Sequence, residues 1–271
     1  MRDPGPPRGL LRPRPPAGVE HVRIAPPDSL AELVAHLWWV RWDLRDEPFV
    51  TETLPHPSLH LTFEPGRARI VGVQTGKFTR RLAGTGRVLG IKLRPGALSS
   101  ITRVPASRLT DRTLPLAAIL GPDVHALRRA IDEADPDQRA CARAIEAWLA
   151  PRLSPLSTEA TRVRDLVERA IDDASLVRVE QLAELAHLDV RTLQRRCARL
   201  VGVSPKWILA RRRLHEAAAR LAEPAPPTLA ALAAELGYHD QAHFARDFKA
   251  IVGRSPSAHA RQLRADEQKT R

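Results

Sequence analysis

The strongest constraint on this chain is a pattern written twice in its C-terminal half, about fifty residues apart. Residues 179–200, VEQLAELAHLDVRTLQRRCARL, begin with a short apolar face of Leu182, Ala183, Leu185 and Ala186 and then turn at His187-Leu188. Asp189 follows, where a carboxylate can accept the free backbone N–H groups that open a helix. In that helix Leu193, Cys197 and Leu200 recur at spacings of four and three and share one side, which leaves Arg191, Gln194 and Arg195 on the other. Residues 228–253, TLAALAAELGYHDQAHFARDFKAIVG, repeat the layout. Leu229, Leu232, Ala233 and Leu236 form the first face, Gly237 supplies a turn residue that tolerates positive φ, and Asp240 caps a helix with Phe244 and Phe248 inside. Superposing Asp189 on Asp240 sets Arg191 over Ala242, Leu193 over Phe244, Arg195 over Arg246 and Cys197 over Phe248.

Two short helices joined by a tight turn, the second exposing Arg and Gln, are the layout that inserts a helix into the DNA major groove. The residue types fit that use. Arg pairs bidentately with guanine O6/N7 and Gln with adenine N6/N7, each worth about 1–3 kcal/mol of discrimination. The expected DNA-facing residues are therefore Arg191, Thr192, Gln194 and Arg195 in the first unit, and Gln241, Ala242, His243, Arg246 and Lys249 in the second. Thr192 and His243 are placed for phosphates. Arg213 on the helix between the units is expected to form internal ion pairs, and Arg211 and Arg212 to be solvated. A net charge of +12 agrees with a polyanionic partner, but the basicity is spread over both halves and would equally suit a basic soluble chain.

The 271 residues suffice for about two domains. Residues 1–27 hold eight of the 24 prolines, which predicts an extended, mobile tail, with disorder expected over residues 1–20. Asp28-Ser29 is placed to cap a helix carrying Leu30, Leu33, Val34, Leu37 and Trp38. The texture then becomes β-like in five short runs: Phe49–Leu54, Leu59–Phe63, Ala68–Val73, Lys77–Leu82 and Arg87–Leu93. They suggest an antiparallel sheet or partial barrel, followed by helices near residues 98–101, 116–120, 125–133 and 138–149. The expected fold is an α+β N-terminal domain (residues 21–150, sensing or oligomerisation), a linker at 151–158, an all-α domain with two helix-turn-helix units at 159–264, and a tail at 265–271. The segment 157–271, holding both units and their caps, is expected to fold alone.

Other chemistries find little support. Cys141 and Cys197 lack a Cys-x-x-Cys partner, so neither a disulfide framework nor a zinc or redox site is expected. His56 and His60, followed by Glu64, would suit a metal on a helix, but their strand-like context throws them apart. No phosphate-loop, dinucleotide or nucleophile-elbow motif occurs, so no catalytic residue and no cofactor is expected. Trp38, Trp39 and Trp42 line either a pocket or the core. No apolar run approaches membrane-span length, and Met1–Pro7 lack the apolar stretch of a signal peptide, so a cytoplasmic chain is expected.

Gly237-Tyr238-His239-Asp240-Gln241-Ala242-His243-Phe244-Ala245-Arg246-Asp247-Phe248-Lys249, then Gly253-Arg254-Ser255-Pro256, resembles the signature of the AraC/XylS family of bacterial transcription regulators. Leu200-Val201-Gly202-Val203-Ser204-Pro205, leading into Arg213-Leu214 and Ala217, is similar to the family's first-unit motif. The resemblance spans about residues 160–263. More loosely, Leu37-Trp38-Trp39, Gly90–Gly96 and Val104–Asp111 resemble an uncharacterised N-terminal domain of some members. Two departures stand out: His187 where the first turn usually has glycine, and Cys197 where an aromatic is common. The resemblance implies a sequence-specific regulator reading two successive major-groove segments of double-stranded DNA. A small-molecule effector, RNA polymerase and a second copy of the chain are candidate partners. The other readings are a small-molecule-converting enzyme fused to DNA-binding helices, and a protein-interaction module that does not bind DNA.

Overall fold

The computed structural model describes residues 9–11 and 15–268. Six strands form one antiparallel sheet in the order β1-β2-β5-β3-β4-β6: β1 Val19–Ile24, β2 Val34–Thr53, β3 His60–Glu64, β4 Arg67–Val71, β5 Phe78–Leu93 and β6 Thr113–Pro115. Ten α-helices follow among the described residues: α1 Ala117–Leu120, α2 Val124–Ala134, α3 Gln138–Leu149, α4 Thr158–Asp172, α5 Val179–Leu185, α6 Val190–Leu200, α7 Pro205–Leu221, α8 Leu229–Glu235, α9 Gln241–Val252 and α10 Pro256–Gln268. Among the described residues, none of these helices is long and apolar enough to cross a membrane. An α+β half thus precedes an all-helical one.

The sheet is built on one long ladder between β2 and β5, running from Val34↔Leu93 to Thr53↔Phe78 with an irregularity between Leu44 and Phe49. Alternation sorts its side chains onto two faces. Leu37, Trp39, Leu61, Phe63, Leu89 and Ile91 are buried in the same core as Leu127 and Ile131 of α2 and Cys141, Ile145 and Trp148 of α3. The other face carries His36, Trp38, Trp42, His60 and Lys92. There the Trp38 indole lies directly on Gly90, where a Cβ would come within 1.9 Å of the ring. Its Nε1–H donates to His60 Nδ1 at 3.1 Å. Of the three tryptophans in question, Trp39 is core and Trp38 and Trp42 are half-buried on the opposite face.

Three expectations for this half are corrected. The helix expected around residues 28–38 is a single 3-10 turn at Asp28–Leu30 followed by strand. Leu30, Leu33, Val34 and Leu37 are all buried, yet Leu37 pairs with Ile24 on one side and Ile91 on the other, and ladders on both sides outweigh a helical period. The runs Lys77–Leu82 and Arg87–Leu93 join into the single strand β5 across Gly84 and Gly86. The tail expected over residues 1–27, with disorder over 1–20, is structured where it is described. Leu10 bridges to Thr53, Leu11 is buried, and Val19–Ile24 pairs with β2. The parts of that expectation falling on residues 1–8 and 12–14 lie outside the described residues, as does the end of the expected C-terminal tail, whose start is the last turns of α10.

The two halves share their cores. One apolar cluster runs from Leu30 and Leu37 through Leu109 and Leu149 to Leu193, Val203 and Leu209. A second joins Leu11 and Leu54 to Leu214, Ala217, Leu232, Phe244, Phe248 and Val252. Leu153 and Leu156, in the stretch read as a linker, pack on the first cluster, and Ser154 N donates to Ser100 O at 2.9 Å. Residues 157–271 therefore do not contain all of their own core. This is a correction to the expectation that they would need nothing from the other half.

Burial also fixes a pH dependence. Desolvation, reinforced by nearby cations, pushes His36 down to about 2 (Lys92, Arg23), His60 to about 3 (Lys92) and His259 to about 4 (Arg254). An unfolded chain takes up protons on these imidazoles near pH 6.5, whereas the folded chain refuses them, so stability is complete above about pH 6.5 and falls as pH drops toward 4. The thermal midpoint should drop by about 5–10 °C between pH 7 and pH 5. Melting followed by circular dichroism across that range checks this, and a flat profile contradicts the buried neutral state.

Candidate nucleic-acid interface

The first unit is α5–α6 and the second α8–α9. The first helices start fifty residues apart (179 and 229) and the second helices fifty-one (190 and 241), because the second turn is one residue longer. The same hydrogen bonds close both turns. His187 N donates to Glu184 O and Gly237 N to Ala234 O, each at 3.0 Å; Leu188 N donates to Ala183 O at 3.0 Å and Tyr238 N to Ala233 O at 2.9 Å. His187 occupies the glycine position with φ at 52°, against 72° at Gly237. It holds the left-handed conformation that a non-glycine residue adopts only under strain.

The second helix of each unit is capped as its sequence suggests. Asp189 accepts from Thr192 N at 2.8 Å and Asp240 from His243 N at 2.7 Å. These backbone bonds hold both carboxyls below the usual range. Inside, Leu193, Cys197 and Leu200 are buried in the first unit and Phe244, Phe248 and Val252 in the second. Phe244 meets Phe248 edge-on at 5.8 Å and Tyr238 at 5.3 Å. Burial pushes the Cys197 thiol up to about 12, so it acts as a small apolar side chain.

Outside, Arg191, Gln194 and Arg195 of α6 and Gln241, Ala242, Arg246 and Lys249 of α9 are exposed. Among the described residues, no ion pair engages Arg191, Arg195, Arg246 or Lys249. Thr192 and His243 sit differently. Both are half-buried in the caps, and His243 lies edge-on to Tyr238 at 5.2 Å with its Nε2 3.7 Å from the Asp247 carboxylate. Neighbouring cations are taken up internally. Glu159 on α4 binds Arg196 at 2.8 Å and also Arg199.

The basic run on α7 is not the solvated surface that was expected. Arg211 is fully buried, donates from Nη2 to Pro55 O in the sheet half, and leaves Nε and Nη1 without a partner among the described atoms. Burial lowers its pKa to about 9. Arg212 donates to Ala174 O at 3.2 Å, tying α7 to the loop before α5. Arg213, expected in ion pairs, instead lies over the Tyr238 ring at 4.5 Å. His56 stacks on His215 of α7 at 4.5 Å while His60 bonds Trp38, so the His56/His60/Glu64 spacing gathers no common site.

Sequence reasoning missed the residues that hold the two units in place. Thr110 donates to Gly202 O just after α6, Lys77 meets Ile251 in the last turn of α9, and Glu52 meets Arg254 just after it. Arg254 lies in the quoted motif, but its partner is 202 positions away, beyond any local signal.

The difference between the two cores sets a test. Phe248→Ala should cost about 3–5 kcal/mol, because a fully buried aromatic leaves a large cavity, and Cys197→Ala distinctly less. Urea denaturation of the two variants measures the difference, and equal losses contradict the packing described.

Residues 182–262 match a helix-turn-helix domain family, and residues 22–115 match a domain of unknown function (DUF6597). An uncharacterized HTH-type transcriptional regulator of Haemophilus influenzae is 35% identical over 85 residues, 31% of this chain and 28% of its own length. The chain thus spans under a third of that relative. Among solved structures, the C-terminal domain of AraT, a response regulator from Geobacillus stearothermophilus, is 26% identical, with 40% of this chain and 88% of that one covered at a TM-score of 0.35. The DNA-binding domain of AdpA, solved in complex with a target DNA, is 28% identical, covering 38% and 94% at 0.35. ToxT from Vibrio cholerae is similar over 83% of this chain and 97% of its own at 9% identity and a TM-score of 0.41. The chain thus carries a helix-turn-helix domain over residues 182–262, which hold most of the duplicated units, with a domain of unknown function ahead of it.

Proposed function

We propose that this chain is a sequence-specific transcription regulator in which α6 and α9 enter two successive major-groove segments of one duplex. The observation that carries the reading is the sorting of cations. Arg196 and Arg199 are paired with Glu159 and Arg211 and Arg213 are engaged by Pro55 and Tyr238, whereas Arg191, Arg195 and Arg246 stand exposed and without an ion pair among the described residues on the outer faces of two capped helices. Arg191, Gln194 and Arg195 read base edges in the first segment, and Gln241 and Arg246 in the second. Ala242 contributes apolar contact, and Lys249 meets phosphate. Thr192 and His243, at the caps, reach phosphates beside the helix N-termini. The sheet half takes a small-molecule effector or a second copy of the chain. This is supported by an open cavity of about 730 Å³ lined by Arg41, Trp42, Gly86, Arg87 and Asp135, and by the polar face carrying Trp38, His36 and His60.

Selection of bound sequences from a random duplex library, followed by footprinting, tests the geometry. A single chain should protect two groove segments about 10 base pairs apart on one face of the duplex. One protected segment per chain contradicts it. Within the selected site, Arg195→Ala should cost about 1–3 kcal/mol and relax preference at one or two base positions, whereas Lys249→Ala should weaken all sequences alike and reduce the salt slope by about 1. Competition titrations at several salt concentrations separate the two effects. Unchanged base preference in Arg195→Ala rejects the assigned reading face.

A further inference from the structure

Each reading helix ends in a glycine turn, and the sheet half grips both turns. After α6, Thr110 Oγ1 donates to Gly202 O at 2.6 Å. The fit leaves no slack: a Cβ on Gly202 would come within 2.9 Å of Thr110 Oγ1 and 3.1 Å of Ala106 O. At the end of α9, Lys77 N donates to Ile251 O in the last turn at 3.2 Å, and just beyond it the Glu52 carboxylate on β2 accepts from Arg254 Nη1 at 2.7 Å and from Lys77 Nζ. Arg254 in turn donates from Nε to His259 Nδ1 at 3.1 Å, and the buried His259 ring lies 5.5 Å from Phe248, inside the core of the second unit.

The chemistry makes the second grip firm. The Glu52 side chain is 9% exposed. Burial pushes its pKa up, but the hydrogen bonds from Lys77 and Arg254 outweigh that and keep the carboxyl below its usual range, hence ionised. A buried carboxylate bonded to two cations is lost only at the cost of leaving both cations without their partner. Mechanically, the run from Glu52 through Arg254 and His259 to Phe248 is a short chain of contacts from the sheet to the inner face of α9. By contrast, the covalent path from α7 to α8 passes through Ala222–Thr228, an irregular stretch with Pro224, Pro226 and Pro227.

We propose that Glu52 is a positioning residue for DNA reading: through Arg254 and Lys77 it sets the orientation of α9 relative to α6, and with it the spacing between groove segments that the chain accepts. Thr110 plays the matching part at α6. The inference rests on the two-segment reading proposed above. It extends that reading by giving the sheet half a direct share in specificity. Base readers tolerate displacements of only about half an ångström and 10–20°. A unit freed from its grip therefore keeps its contacts but loses its preference for one spacing.

The test uses the full chain and a set of duplexes in which the selected site is altered by removing or inserting one or two base pairs between the segments. Glu52→Gln should reduce affinity at the selected spacing by about tenfold and flatten the preference among spacings, with base preference in the α6 segment unchanged. Lys77→Ala, which leaves the Glu52–Arg254 pair in place, should shift the profile the same way by a smaller factor and carries the test if Glu52→Gln does not fold. An unaltered spacing profile in a folded variant overturns the proposal. Tighter binding at every spacing also overturns it, because the grip would then restrain α9 rather than place it. If the unmodified chain protects only one segment, the two-segment reading has failed. If it protects two and the variants keep its spacing profile, only the positioning role has failed.

Discussion

Neither helix-turn-helix unit has enough apolar surface to hold itself together. Helices α5 and α8 are seven residues each, about 10 Å long, and helices this short are unstable in water without tertiary packing. Their faces must be covered from outside. Helix α7 does part of this by presenting Ile208 and Leu209 to the first cluster and Leu214, Ala217 and Leu221 to the second. The sheet half supplies the rest, through Leu109 and Ala106 against the first unit and Leu11 and Leu54 against the second. Sharing a core is the condition under which units built on such short helices hold their orientation. It also explains why the halves meet through buried apolar contacts and not through an open linker.

The same demand accounts for the arginines of α7. A helix that must contact the sheet half on one side and both units on others has little surface left for solvent. Arg211 is carried into the interface, where only Nη2 finds a described partner, the Pro55 carbonyl, and burial weakens its hold on the proton. Arg213 lies against the face of Tyr238, a favourable cation–π arrangement. A run of three cations that looks like a nucleic-acid patch in one dimension is thus divided among separate internal duties. Net charge of +12 therefore says less about DNA than the identity of the few cations left over.

The helical half was legible because its signals are local. Caps lie three residues from the N–H groups they satisfy, the apolar period repeats every three or four positions, and a duplicated unit checks itself. His187 in a left-handed turn could be anticipated from the residue it replaces. The sheet half was legible in kind but not in detail. Residues 30–37 fit a helical stripe, and only the ladders to β1 and β5 decide for strand. Val19–Ile24 sits among prolines that suggested a tail, and Thr113–Pro115 is too short to carry an alternation. The grips on the reading helices were invisible altogether. Glu52–Arg254 and Thr110–Gly202 join residues 202 and 92 positions apart, and such pairs exist only once the chain has folded.

The two units are unequal in complementary ways. The first has the smaller core, with Cys197 where the second has Phe248, and it stores strain at His187. Its outer face is the richer, with two arginines and a glutamine against Gln241 and Arg246 beside the short side chains of Ala242 and Ala245. Packing and recognition draw on different faces of the same helix, so nothing forces the stronger core to underlie the stronger reading face. Under the proposed reading, the first unit supplies most of the base discrimination, at about 1–3 kcal/mol per well-made bidentate contact. Its weaker interior is stiffened from outside by Glu159, Thr110 and the sheet cluster. The second unit, with an aromatic interior of its own, has less to read with, and what it contributes depends on where it is held.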